Sequence, residues 1–204
     1  VYYYLTVMNE NYEHPAMPEG AEAGILKGMY LFRRGAGSNG PRVQLLGSGT
    51  IFREAIAAAE LLREHWGVEA DLWSCPSFTE LAREGHERVR QHLLHPGETP
   101  QPSHVAACLA DTRGPVIAAT DYIRLFAEQI RPFVPRRYTA LGTDGFGRSD
   151  TREKLRHFFE VDRHWITVAA LRALADDGAI EAGKVAAAIV RYGLDPDKPN
   201  PLGV

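Results

Sequence analysis

The chain has 204 residues, of which 45% are hydrophobic and 24% charged, so it is long enough to bury roughly 70% of its unfolded surface around one core. Its net charge is −3 and no cluster of Lys and Arg stands apart from neighbouring acids, so we expect no nucleic-acid partner. The longest apolar runs fall well short of the about 20 residues that span a bilayer, so we expect no membrane partner either. The two cysteines are too few for a disulfide framework and suit a reducing cytoplasm.

The chain begins with an apolar stretch at residues 1–7, rich in Tyr and β-branched residues, and not with methionine. This composition predicts a strand, and the prolines at 15 and 18 cannot continue a sheet. We interpret residues 1–18 as the end of a preceding domain with a linker, and residues 19–204 as one α/β domain. The chain is therefore expected to be a piece of a longer polypeptide.

Periodicity and turn residues predict strands at 29–34, 43–46, 68–74, 115–120 and 138–141. Helices are predicted between most of them, with helix starts at Ser77, Ser103 and Asp121 and a helix end at Gly67, and three more helices follow the last strand. The Gly-rich turn at 35–41 is interpreted as a hairpin that pairs the first two strands antiparallel. Since crossover helices make the other pairs parallel, the predicted fold class is α/β: a three-layer α/β/α domain with a five-stranded mixed sheet whose first strand is antiparallel.

Gly47-Ser48-Gly49-Thr50 follows a predicted strand and precedes a predicted helix, where an α/β sheet can bind a phosphate. The motif lacks the third glycine of a dinucleotide fingerprint and the Gly-Lys-Ser/Thr of a P-loop. The sequence therefore favours a tight turn in which Thr50 caps the helix. Ser48 and Thr50 are retained as candidate anion or interface contacts.

Two further loops carry candidate contacts. In the loop at 142–150 the candidate contacts are Asp144 and Arg148, and Arg148 brings a fork of donors that suits an anion or a partner surface. The alternative there is a rigid turn in which Asp144 accepts hydrogen bonds from nearby N–H groups. The second loop follows the first predicted strand, and loops at such positions often carry function, whereas the alternative is a solvated linker. Its candidate contacts are Asn9, Asn11 and Tyr12.

Motifs for catalysis or metal binding are not found in the sequence. His86, His92, His95 and His104 form the nearest approach to a histidine cluster, but their spacing is not that of a zinc site. Cys75 has no recognisable base partner and is interpreted as a small buried filler, and there is no Gly-x-Ser-x-Gly. The residues alone predict an α/β/α domain without a complete active site.

Several blocks, in order along nearly the whole chain, resemble the C-terminal region of the homodimeric pyruvate dehydrogenase E1 component. The blocks include Pro15-Ala-Met-Pro-Glu-Gly20, Val43-Gln-Leu-Leu-Gly-Ser-Gly49, Ala119-Thr-Asp-Tyr122 and Leu141-Gly-Thr-Asp-Gly-Phe-Gly-Arg-Ser-Asp-Thr-Arg-Glu153. The last block is the most specific, and its Asp144, Phe146-Gly147 and Ser149 are shared more loosely with transketolases.

The resemblance implies the third domain of an enzyme that decarboxylates pyruvate with thiamine diphosphate and Mg²⁺ and then reductively acetylates the lipoyl group of its E2 partner, a dihydrolipoyl acetyltransferase. In that family the cofactor lies between the first two domains at a dimer interface. The resemblance therefore implies no catalytic, cofactor-binding or metal residue in this chain. It implies a structural domain, inactive alone, that contacts the second E1 subunit of a cytoplasmic homodimer.

Two other hypotheses remain open. One is the C-terminal domain of another transketolase-type or 2-oxoacid dehydrogenase enzyme that uses thiamine diphosphate. The other is a stand-alone anion- or nucleotide-binding α/β module that uses residues 47–50. We rank the module last, because the loop lacks the extra glycine and the lysine that such sites use.

Overall fold

A computed structural model of the chain describes residues 2, 11–37 and 39–204. The predicted strand at 1–7 and the candidate contact Asn9 therefore lie outside the described residues, residue 2 excepted. The strands are β1 (Tyr30–Arg33), β2 (Arg42–Gly47), β3 (Glu69–Ser74), β4 (Val116–Ala119) and β5 (Tyr138–Leu141). The α-helices are α1 (Glu22–Leu26), α2 (Ile51–Trp66), α3 (Phe78–Leu94), α4 (His104–Leu109), α5 (Arg124–Glu128), α6 (Arg152–Phe158), α7 (Arg163–Asp176) and α8 (Gly183–Arg191). None of the helices in this part of the chain is long and apolar enough to cross a membrane.

The strands form one mixed sheet in the order β1-β3-β2-β4-β5. β1 is antiparallel to β3, and the other neighbours are parallel, which confirms the predicted fold class. The predicted hairpin between β1 and β2 is wrong. β2 lies between β3 and β4 and is parallel to both, and each of these two strands follows a helix in the sequence. The loop between β1 and β2 instead contacts β3, where the Gly35 N–H donates to Asp71 at 2.9 Å and Arg42 forms an ion pair with the same carboxylate.

Helices cover both faces of the sheet. Because side chains along a strand alternate between the two faces, β2 contributes to two separate cores. Val43 and Leu45 of β2 are buried in a core built with α2, α7 and α8. Leu46 faces the opposite core, which α3, α4 and α5 complete. Helices therefore pack on both faces of the sheet, so the three-layer α/β/α arrangement is confirmed.

Some predicted helix ends are confirmed and others are wrong. Gly67 ends α2 at φ 63°, and the Ser77 and Ser103 hydroxyls accept the Glu80 and Ala106 N–H groups at 3.1 Å. Thr50, however, makes no side-chain cap to α2. Asp121 does not begin α5 either, since the residue at that N-cap is Ile123.

Candidate functional site

The carboxyl ends of β2 and β4 lie side by side, and the chain leaves them in opposite directions. β2 leads through α2 to β3 on one side, and β4 leads through α5 to β5 on the other. Open α/β sheets bind ligands in the crevice at such a topological switch point. A cleft of about 440 Å³ opens at this place. Beyond glycines of the 142–150 loop, this switch-point cleft is lined by polar Thr50, Asp121 and Thr143, basic Arg148, Arg152 and Arg156, and apolar Ile51, Leu155, Phe159 and Val161.

The turn at 47–50 is tied to the end of β4 and does not form an open cradle. The buried Ser48 hydroxyl donates to Thr120 Oγ1 at 2.7 Å, and the Thr50 hydroxyl donates to Asp121 Oδ2 at 3.3 Å. Because the Thr50 hydroxyl is engaged with Asp121, it does not cap α2 as predicted. The Asp121 carboxylate also places a negative charge beside the start of α2, where the helix dipole favours an anion. This geometry favours a tight turn over a phosphate cradle.

The loop at 142–150 is held against the connection between β4 and α5. Asp144 Oδ1 accepts the Arg124 N–H at 2.8 Å, and its other oxygen lies 3.0 Å from Arg124 Nη2. The Thr143 hydroxyl donates to the Asp121 carbonyl at 2.7 Å. Asp144 thus accepts an N–H group as the rigid-turn interpretation predicts, although the donor comes from the first turn of α5 and not from the loop itself.

Glu54 in α2 joins the cleft to the helical layer behind it. Its carboxylate accepts from Arg156 Nη1 at 3.2 Å, and from the Arg163 N–H and Nε at 3.1 and 2.9 Å. Burial alone would raise the pKa of Glu54, but the hydrogen bonds and charge of Arg163, with Arg156, hold that pKa below its ordinary value. Glu54 is therefore charged in the folded chain at neutral pH and orients Arg156 in the cleft wall.

The segment that leads into the domain reaches the same group of residues. The Tyr12 hydroxyl accepts from Arg156 Nη2 at 3.3 Å. The Arg53 guanidinium carbon lies 4.6 Å from the centre of the Tyr12 ring, and Arg53 Nη1 donates to the Glu13 carbonyl at 3.2 Å. Asn11, by contrast, is exposed. The incoming segment is thus anchored at the carboxyl edge through Tyr12 and Glu13.

The structure brings part of the predicted set together. Thr50 and Arg148 both line the cleft, while Tyr12 reaches it through Arg156. Sequence reasoning missed Glu54 and the basic pair on α6, Arg152 and Arg156. The sequence could have indicated this pair, because residues four apart on a helix share a face and the helix directly follows the glycine-rich loop.

Exposed apolar side chains surround this end of the sheet. We call them the apolar edge: Tyr122, Ile123, Leu125, Phe126, Phe146 and Leu202. The rings of Tyr122 and Phe126 lie 5.6 Å apart, and Phe146 is 81% exposed. Gly145 packs so closely on the Pro201 backbone that a Cβ would overlap it, which brings Phe146 near Leu202. Clusters of exposed apolar side chains are frequent at contact surfaces of proteins.

The described residues do not fit a metal–diphosphate site. Within residues 11–37 and 39–204, no three His, Cys, Asp or Glu side chains converge to hold a metal ion. The Asp121 carboxylate would also oppose a diphosphate at the start of α2. Cys75 is fully buried, and burial raises the pKa of its thiol far above the ordinary range, which agrees with a buried filler and not a nucleophile.

Similarity to known proteins defines the class of protein. The chain belongs to the family of transketolase-like TK C-terminal domains, whose model matches residues 28–162. Its curated relatives are named pyruvate dehydrogenase E1 component, which confirms the resemblance stated from the sequence. The identity is 75% to the protein from Cupriavidus necator, over 100% of this chain and 23% of that protein. It is 61% to the protein from Pseudomonas aeruginosa, over 99% of this chain and 23% of that one, and 54% to the protein from Escherichia coli K12, over 98% and 22%. The chain thus spans less than a quarter of the length of these relatives.

Proposed function

We propose that this chain is the C-terminal domain of a pyruvate dehydrogenase E1 component and that its role there is structural. The observation that carries the proposal is the 75% identity, over the whole chain, to the E1 component of Cupriavidus necator. In this proposal residues 1–18 end the middle domain and form a linker, and residues 19–204 form the C-terminal domain. The full-length enzyme is then a cytoplasmic homodimer that decarboxylates pyruvate and reductively acetylates the lipoyl group of E2.

Thiamine diphosphate and Mg²⁺ are proposed to bind elsewhere in the longer chain. Support comes from the donor set at the carboxyl edge, since Asp121 stands beside the helix start that would otherwise attract a diphosphate. No catalytic role is therefore assigned to the residues of this domain.

The structural role is proposed to use the apolar edge. Burying apolar surface contributes about 25 cal/mol per Å², so six large apolar side chains can stabilise a contact with the other domains or with the second subunit. The incoming segment supports this placement, because Tyr12 and Glu13 lie at the same end of the sheet. We infer that the preceding part of the longer chain approaches the domain at this end, near the apolar edge.

Calorimetry tests the proposed division, in which thiamine diphosphate and Mg²⁺ bind to the rest of the longer chain and not to this domain. Thiamine diphosphate and Mg²⁺ are titrated into the full-length natural chain and, separately, into the 204-residue chain. We expect saturable binding to the full-length chain alone. Tight binding by the 204-residue chain would contradict the proposed division.

A second experiment tests the contact surface. Phe146→Ser in the full-length natural chain should weaken subunit association in sedimentation, or increase protease cleavage between the domains. Val190→Ser is the matched control, because Val190 is equally exposed at 81% but lies on α8 in the helical layer. If both variants behave like the natural chain, the apolar edge is not the contact surface.

A further inference from the structure

We propose that the second half of α3, residues 86–94, is a docking arm that packs against the preceding part of the longer chain through Val89 and Leu93. This inference rests on the proposed function in that a longer chain precedes these residues. The arm is a second contact surface, at the end of the sheet opposite to the apolar edge. One row of side chains, which leaves the core of the domain and continues into solvent, carries the inference.

The helix α3 runs past the domain that it covers. It begins after β3, at the carboxyl edge of the sheet, and Gly85 packs so closely on the Phe133 ring that a Cβ would overlap it. Phe133 lies at the amino edge, where the parallel strands begin, because Arg131 of the same turn donates from Nη1 to the carbonyl of Tyr138, the first residue of β5, at 2.9 Å. Residues 86–94 therefore extend α3 beyond this edge by about 12 Å, at a rise of about 1.5 Å per residue. All residues of the arm are exposed.

One row of side chains connects the core of the domain to the arm. The row is spaced at intervals of four residues, so neighbouring members share a face of α3, and it consists of Leu81, Gly85, Val89 and Leu93. Leu81 and Gly85 are buried, whereas Val89 is 58% and Leu93 76% exposed. The row that packs on the core thus continues past the amino edge and stays uncovered among the described residues. Apolar faces of helices stabilise proteins by packing against other elements, so the arm has the form of a helix whose partner lies outside this domain.

The loop that follows α3 covers a different face of the arm. Arg88 and Gln91 of the helix and residues 98–101 of the loop line a common hollow of about 270 Å³. Gln91 and Leu93 are two residues apart and therefore point about 200° apart around the helix axis. The loop thus leaves the face that carries Val89 and Leu93 open.

The size of the open face decides what occupies it. Stable complexes between separate proteins bury about 1,200–2,000 Å² in total, whereas Val89, Leu93 and the 54% exposed Leu94 offer on the order of a few hundred Å². A freely diffusing partner would gain too little to offset its lost translational freedom, but a covalently attached part of the same chain does not lose that freedom. Such a part exists in the relatives, since this chain spans 23% of the Cupriavidus necator protein. The occupant is therefore an apolar surface of the preceding part of the longer chain.

Photocross-linking in the full-length natural chain tests the inference. The variant Leu93→p-benzoylphenylalanine is irradiated, its mass is measured, and the joined peptides are identified after digestion. We expect the mass of one chain and, attached at position 93, a peptide from the part that precedes these 204 residues. Gln91→p-benzoylphenylalanine, on the face covered by the loop, should not attach that peptide. A product of twice the chain mass, no cross-link at position 93, or equal yields at both positions would each overturn the inference.

Hydrogen exchange of the full-length natural chain supplies a second measurement. Leu93→Ser should speed exchange of the amides in residues 86–94 by about tenfold, because burial of a large apolar side chain changes an equilibrium by about that factor. Gln91→Ser is the matched control and should have a much smaller effect, because Leu and Gln have similar helix propensities and both side chains are exposed in this domain. Equal exchange in the two variants would overturn the inference. Neither readout involves thiamine diphosphate or pyruvate, so this inference and the proposed function fail separately.

Discussion

The Glu54 carboxylate and Arg163 are joined by a backbone hydrogen bond of 3.1 Å and a guanidinium hydrogen bond of 2.9 Å. They connect the first turns of α2 and α7 across 109 residues of sequence. Glu54 is 4% exposed, and α2 and α7 share one apolar core. This pair therefore fixes the carboxyl edge of the domain to the helical layer that covers the sheet.

Glu54→Gln should lower the free energy of unfolding by about 2 kcal/mol. Breaking a buried ion pair costs roughly 3–5 kcal/mol, and we expect less here because the Arg163 side chain is 47% exposed. Urea unfolding followed by circular dichroism measures the difference. Glu60→Gln, at an exposed position of the same helix, is the control and should change the value by less than about 0.5 kcal/mol. Equal stability of both variants would contradict the structural role of Glu54.

The contribution of Glu54 to the free energy of unfolding should decrease as the pH falls. Because its pKa in the folded chain lies below the ordinary value of 4.5, the carboxylate stabilises the fold above that value and loses this contribution as pH falls through the lowered pKa. The stability gap between the natural chain and Glu54→Gln should be full at pH 7 and should narrow below pH 4.5. Urea unfolding of both proteins between pH 7 and acid pH measures this difference in stability. A difference that increased in acid would contradict the lowered pKa of Glu54.

Gly85→Ala should destabilise the domain by about 1–3 kcal/mol, the usual cost of overpacking. Gly85 lies in the middle of α3, and a Cβ there would overlap the buried Phe133 ring. Gly183, at the start of α8, has open space around it, so Gly183→Ala should be neutral or slightly stabilising. Thermal unfolding of the two variants compares them. A neutral Gly85→Ala would show that α3 does not pack on Phe133 as described.

Arg53→Ala should release the incoming segment. It removes the hydrogen bond to the Glu13 carbonyl and the contact with the Tyr12 ring, together worth about 1–2 kcal/mol at a surface site. Limited proteolysis within residues 11–18 should become several-fold faster. Arg63→Ala on the same helix is the control, because Arg63 pairs only with its neighbour Glu64 among the described residues. Unchanged cleavage in Arg53→Ala would contradict the anchoring.

Local patterns predicted the elements of the fold well. The strand at Tyr138–Leu141 has the predicted bounds, and the Gly67, Ser77 and Ser103 helix ends are where their residue types indicate. These features depend on residues within one or two turns of each other. The order of these strands and helices was also enough to predict the three-layer arrangement, because a helix that connects two parallel strands must pack on a face of the sheet.

Contacts between residues that are far apart in the sequence could not be predicted from local patterns. The hairpin between β1 and β2 was wrong because β3, delivered later in the chain, takes the neighbouring position. The Thr50 cap was wrong because Asp121, 71 residues away, engages the hydroxyl. Glu54 was missed since its partners are 102 and 109 residues distant, and no local pattern marks an acid that will be buried.

The most direct test of the proposed role is the turnover of pyruvate by two proteins made side by side. One is the full-length natural chain that contains these 204 residues, and the other is the 204-residue chain alone. The measurement is release of carbon dioxide from pyruvate, with lipoyl-bearing E2 present to accept the acetyl group and its electrons, and with and without thiamine diphosphate and Mg²⁺. The proposed function predicts release by the full-length chain only, and only with both cofactors present. Cofactor-dependent release by the 204-residue chain, or none by the full-length chain, would contradict it.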